Sequence, residues 1–77
     1  IPKWDVRQLA GFYSAEPERW GKSIFFFHTL GECFALHELL KHRGIVSDVV
    51  TGSSDRDRQL ASFRRGDVQV LMTFPRC

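Results

Sequence analysis

Apolar residues recur at helical spacing in the first part of this chain and then close up into continuous runs. Val6, Leu9, Ala10 and Tyr13 fall on one face at i, i+3, i+4 and i+7, predicting a helix over residues 2–13 with Pro2 in its first turn. Ser14 to Gly21 reads as a connector broken by Pro17, with Trp20 apolar enough to pack back onto the domain. From Ser23 to His28 the period disappears. Ile24-Phe-Phe-Phe27 is a run without alternation, as in a strand covered on both faces of a parallel sheet. Thr29-Leu-Gly-Glu32 then matches a capping box, a hydroxyl with a carboxylate three residues on. It opens a helix carrying Leu36, Leu39 and Leu40. Lys41, His42 and Arg43 suit that helix's negative end, and Gly44 stops it.

Ile45 to Thr51 is predicted as a second strand. Ser53 or Ser54 is expected to cap the next helix, with Asp55 and Asp57 in its first turn and Leu60, Ala61 and Phe63 on its buried side. Gly66 ends it. Val68 to Phe74 is a third strand, with Val68, Val70 and Met72 on one face and Gln69 and Leu71 on the other. Strand, helix, strand, helix, strand with short connections implies right-handed crossovers. The expected fold class is α/β, with three parallel strands and flanking helices. Ligands of such sheets bind outside the carboxyl ends of the strands. Here those ends are His28-Thr29, Thr51-Gly52-Ser53 and Thr73-Phe74, and two of them lead into helix N-termini whose free N–H groups favour phosphate.

Composition narrows the picture only a little. Seventy-seven residues, 43% of them hydrophobic, make one small domain at most, of globular composition. The net charge of +2 is uninformative, but residues 51–77 hold five arginines against three aspartates, a bias compatible with phosphate contact. Two cysteines make no disulfide framework, and Cys33 falls inside a helical pattern as a small hydrophobe. Both facts suit a reducing, intracellular setting. No apolar run approaches the ~20 residues of a membrane span, and no membrane partner is expected.

Several tempting motifs fail on spacing. Trp20-Gly-Lys-Ser23 lacks the upstream glycine of a Walker A loop, since position 16 is Glu, and a strand rather than a helix follows it. Lys22 is expected to face solvent at the strand entry. His37-Glu38 and His42 are spaced five apart instead of the four a zinc-binding helix face requires, so structural or surface roles account for these histidines. No catalytic triad or dyad can be assigned, and no catalytic residue is expected in this chain.

The richest constellation is Thr51-Gly-Ser-Ser-Asp-Arg-Asp-Arg-Gln-Leu-Ala-Ser-Phe-Arg-Arg-Gly66, followed by Asp67 to Thr73. Gly52 permits a tight strand exit, and the serines offer hydroxyls. Arg56 falls in the first turn of a helix, where its cation opposes the dipole. A bound anion would offset that cost, as would a carboxylate partner such as Asp55 or Asp57.

These residues together resemble the second RecA-like domain of superfamily 2 helicases. Ile24 to His28 with Thr29 resembles the family's motif IV strand and its following Thr. The Leu-rich helix from Gly31 to Arg43, ending in Gly44-Ile45, resembles the next segment. Thr51-Gly52 resembles the strand exit. Arg56, Leu60, Phe63-Arg64 and Gly66 resemble its Arg…Leu…Phe-Arg-x-Gly pattern, and Val70 to Thr73 resembles the opening of motif V. The match covers residues 20–77, leaving 1–19 as an N-terminal helix and connector. The resemblance implies a partial RecA-like three-layer fold. It also implies a role in an ATP-dependent helicase or translocase that grips the sugar-phosphate backbone of DNA or RNA. Thr29, Gly52, Ser53, Arg56 and Thr73 are the implied contacts. ATP and Mg would be bound mainly by a first RecA-like domain of the same parent chain. The remaining motif V residues and the arginine finger would lie beyond Cys77, so this piece alone is expected to be inactive. The alternative is a non-catalytic α/β module that binds nucleic acid or protein. A receiver-like or rhodanese-like domain fits less well, because the strand ends carry Thr and His rather than acids or a looped cysteine.

Overall fold

A computed structural model describes residues 5–74, and Pro2 lies outside the described residues. The first helix starts at Val6 behind an Asp5 cap and ends at Ala15, later at both ends than the expected 2–13. A short helix lies within the expected Ser14–Gly21 connector. Helix α1 spans Val6–Ala15, a short α2 spans Pro17–Trp20, and strand β1 spans Ser23–Phe26. Helix α3 (Leu30–His42), strand β2 (Ser47–Val49), helix α4 (Arg56–Arg65) and strand β3 (Val70–Thr73) follow. All pairings are parallel, in the order β1-β3-β2, so the last strand lies in the middle. The protein is an α/β fold of three parallel strands with flanking helices, as the pattern predicts.

One face of the sheet holds the core. Phe27, Val49, Val70 and Met72 pack with Cys33, Leu36 and Leu40 of α3 and with Ala10 and Tyr13 of α1, all buried. The N-terminal helix is therefore built into the same core as the strands. The Tyr13 ring meets Phe25 edge-on, with centroids 6.4 Å apart. Its hydroxyl donates to the Gly21 carbonyl, which ties α1 to the entry of β1. Burial raises the Tyr13 phenol above its ordinary pKa.

The helix ends follow from local chemistry. Asp5 and Gln8 form the capping box of α1, Asp5 Oδ1 accepting from Arg7 N–H and Gln8 Oε1 from Asp5 N–H. Thr29 caps α3 as expected. Its Oγ1 accepts from Glu32 N–H at 3.2 Å, and the hydroxyl donates to Glu32 Oε1 at 3.1 Å. Thr29→Ala is expected to cost about 1 kcal/mol, read as a lower urea midpoint with an unchanged slope. At the other end Gly44 takes φ +77°, and the N–H groups of Gly44 and Ile45 donate back to Lys41 and Leu40. That is the left-handed termination glycine permits.

Four further expectations need correction. Strand β1 is not covered on both faces. Ser23, Phe25 and Phe27 turn toward the core, whereas Ile24 and Phe26 are 45% and 73% exposed. The strands are also shorter than the apolar runs. The N–H groups of Ile45 and Val68 are spent on the ends of the preceding helices, bonding Leu40 and Ser62, so pairing starts later. Neither Ser53 nor Ser54 caps α4. Ser54 Oγ accepts from Thr51 N–H and donates to Gln59 Oε1, holding a turn until Asp55, whose carboxylate takes the Arg58 N–H at 3.1 Å. Finally, the buried residue of α4 is Gln59, while Leu60, Ala61 and Phe63 are half-buried.

Gln59 shows how α4 is held. Its Nε2 donates to Val49 O at 2.9 Å, and Asp48 Oδ1 accepts the Val49 N–H at 2.9 Å. Val49 faces away from β3, so these two side chains satisfy the free edge of β2. At its far end α4 reaches β1. Lys22 Nζ donates to Arg64 O at 3.2 Å and stands 5.5 Å from the Phe63 ring centroid. Helix α4 thus crosses the outer face on a diagonal, from the carboxyl end of β2 to the amino end of β1.

Candidate functional site

The register of the sheet brings the strand ends to one edge. Phe26 pairs with Thr73 and Val49 with Met72. Thr73 O accepts from Phe27 N–H at 2.9 Å, and Met72 O accepts from Val50 N–H at 2.8 Å. Thr73 therefore lies between the exit of β1, which leads through His28 to Thr29, and the exit of β2, which leads through Thr51 to Gly52 and Ser53. Arg56 opens α4 at this same end. All five expected contact residues are on the carboxyl edge of the parallel sheet, the side on which such folds hold ligands.

Their availability differs. Thr29 is exposed, but its hydroxyl is committed to Glu32, whose carboxylate stands within hydrogen-bond distance. An anion there would face like charge. Gly52 and Ser53 are exposed at the tip of the β2–α4 turn. Ser53 N–H donates to Thr51 Oγ1 at 3.3 Å, and the Ser53 hydroxyl has only a long 3.4 Å contact with the same atom. Ser54, by contrast, is turned inward onto Gln59 and Thr51. Thr73 is half-buried at the end of the central strand.

Arg56 is the clearest member. It is exposed in the first turn of α4, and neither Asp55 nor Asp57 pairs with it. Among the described residues the ion pairs are Arg19–Glu16 at 3.2 Å and Arg65–Asp67 at 2.9 Å. The carboxylate that could have offset a cation at a helix N-terminus is instead occupied in capping, since Asp55 accepts from the Arg58 N–H. Among the described residues no ion pair offsets the unfavourable placement of Arg56.

The remaining chemistry-bearing residues have structural work. His37 Nδ1 lies 2.8 Å from Ser47 Oγ, joining α3 to β2. Cys33 is buried, and burial together with the neighbouring Glu32 carboxylate pushes its thiol up from the ordinary value. A thiol so shifted stays protonated at neutral pH and is a poor nucleophile. Lys22 is anchored at the Arg64 carbonyl, away from the carboxyl edge. Beside α2, an apolar cleft of about 220 Å³ is lined by Leu9, Phe12, Tyr13, Trp20 and Phe25.

Two residues escaped the sequence reading. Gln59 stands among polar neighbours in α4, with Arg58 before it and Asp55, Arg56 and Ser62 at helical spacing, so no pattern marks it as the residue that satisfies a strand edge. Phe26 was hidden by its run, since four consecutive apolar residues do not reveal which of them face outward. No protein-family model matches the chain, and no curated protein matches it.

Proposed function

We propose that this chain is part of an ATP-dependent superfamily 2 helicase or translocase. In this reading its carboxyl sheet edge holds the sugar-phosphate backbone of a DNA or RNA strand. The observation that carries the reading is Arg56, an exposed cation at a helix N-terminus with no carboxylate partner among the described residues, beside the Gly52-Ser53 turn. A phosphate placed there would meet the Arg56 guanidinium and the Ser53 hydroxyl, beside the α4 cap that Asp55 already occupies. Thr73 would contact the same backbone from the central strand. Thr29 would add least, because Glu32 opposes an anion beside it. Contacts of this kind position a strand without reading its bases.

The ATP and Mg of the resemblance belong mainly to a first RecA-like domain, which is the expected partner. Among the described residues no group of three or more His, Cys, Asp or Glu side chains is placed to hold a metal ion. Lys22 does not sit in a phosphate loop. No chemical step is assigned to this chain. No helix among the described residues is long and apolar enough to cross a membrane.

The test is oligonucleotide binding followed by fluorescence anisotropy. Arg56→Ala is expected to weaken binding about fivefold at low salt, the effect of about 1 kcal/mol at an exposed charge. It should also reduce the slope of log K against log salt by about 0.7, one phosphate contact on a single strand. An unchanged slope would remove Arg56 from the interface.

A further inference from the structure

Phe26 is the most exposed large apolar side chain of the described residues, at 73%, and its position in the fold is specific. Lys22, Ile24 and Phe26 alternate onto the outer face of β1. The diagonal course of α4 covers that face unevenly. At the amino end of β1, Lys22 is clamped to Arg64 and Phe63. One pleat on, Ile24 is 45% exposed, and at the carboxyl end Phe26 is almost bare. On the central strand beneath the helix, Leu71 is only 2% exposed. The uncovered ring is therefore at the carboxyl edge, on the same face as α4, and its register partner is Thr73.

We infer that Phe26 is a stacking platform for a nucleobase. This rests on the proposal above that the carboxyl edge holds a nucleic-acid backbone. It adds that the bound strand is single, because a base must be unpaired and turned out to lie on the ring. Thr73 lies next to Phe26 on the central strand, and the Arg56–Ser53 end of α4 lies beyond it at the same sheet edge, by the exit of β2. A backbone passing along that edge presents its bases toward the gap that α4 leaves over β1. A phenyl ring suits the task, since every base has a π-face and stacking is tolerant of sequence. The arrangement thus pairs phosphate contacts with an aromatic surface, the combination used for single strands bound without sequence preference.

The experiment compares an oligothymidylate of about 15 nucleotides with an abasic deoxyribose-phosphate oligomer of the same length. Wild-type chain, Phe26→Leu and Phe26→Trp are titrated with each. The inference expects wild type to bind the thymidylate about tenfold more tightly than the abasic oligomer, the contribution of one stacked base. Phe26→Leu should lose that tenfold on thymidylate and change nothing on the abasic oligomer. Phe26→Trp should retain it, with its indole fluorescence quenched on binding. An unchanged circular dichroism spectrum separates these effects from misfolding. If wild type binds both oligomers equally and Phe26→Leu changes neither, the stacking inference is overturned while backbone contact survives. If wild type binds neither, backbone contact fails and the inference falls with it.

Discussion

Leu36→Ala is expected to destabilise the protein by about 3 kcal/mol. Leu36 is fully buried in the middle of α3, in the cluster that joins α1 and α3 to the sheet. Removing its branched end deletes contacts on several sides, and neighbours fixed by the Tyr13–Phe25 packing and the parallel ladder cannot close the space. The size of the chain makes that loss severe. A domain this small is stabilised by only about 5 kcal/mol, so roughly half of its margin would go. Urea unfolding should show a lower midpoint with the slope preserved. A loss below about 1 kcal/mol would mean that the core is not organised around α3.

Gln59→Leu should cost about 2 kcal/mol, although it adds apolar volume. The amide of Gln59 is 9% exposed and bridges two groups, donating to Val49 O and accepting from the Ser54 hydroxyl. Leucine supplies neither bond. It leaves the free edge of β2 with an unpaired carbonyl and releases the turn that leads to Asp55. The consequence is local as well as global. Helix α4 is held at one end by Gln59 and at the other by Lys22, so its first turn should loosen while α3 remains intact. Hydrogen exchange measures this directly. Amides of the first two turns of α4 should lose protection before those of α3. Uniform loss across both helices would assign Gln59 to the general core instead of to the placement of Arg56.

Much of the fold is legible in the sequence because its signals are local. Thr29, Glu32, Gly44 and Gly66 act on their own neighbours, so helix limits can be read without the rest of the chain. What escapes is set by distance. Whether Ile24 or Phe25 faces the core depends on where α4 crosses, and that crossing is fixed by Lys22 and Gln59, far apart in sequence. The cap of α4 was misplaced for a related reason. Ser54 has the right chemistry for a cap, but Gln59, five residues on, draws its hydroxyl inward and passes the role to Asp55.

The carboxyl edge was legible as a place, since parallel crossovers bring Thr29, Gly52, Ser53 and Thr73 to one side. The unequal availability of its members was not. It depends on side-chain rotamers, such as the Glu32 carboxylate turned onto Thr29 and the Asp55 carboxylate turned onto the Arg58 N–H.

The most direct test of the central claim is the salt dependence of oligonucleotide binding by the wild-type chain and Arg56→Ala, measured side by side. The account predicts that log K falls linearly with log salt for both, and that the line for Arg56→Ala is shallower by about 0.7. Parallel lines, or no binding by the wild type at low salt, would contradict it.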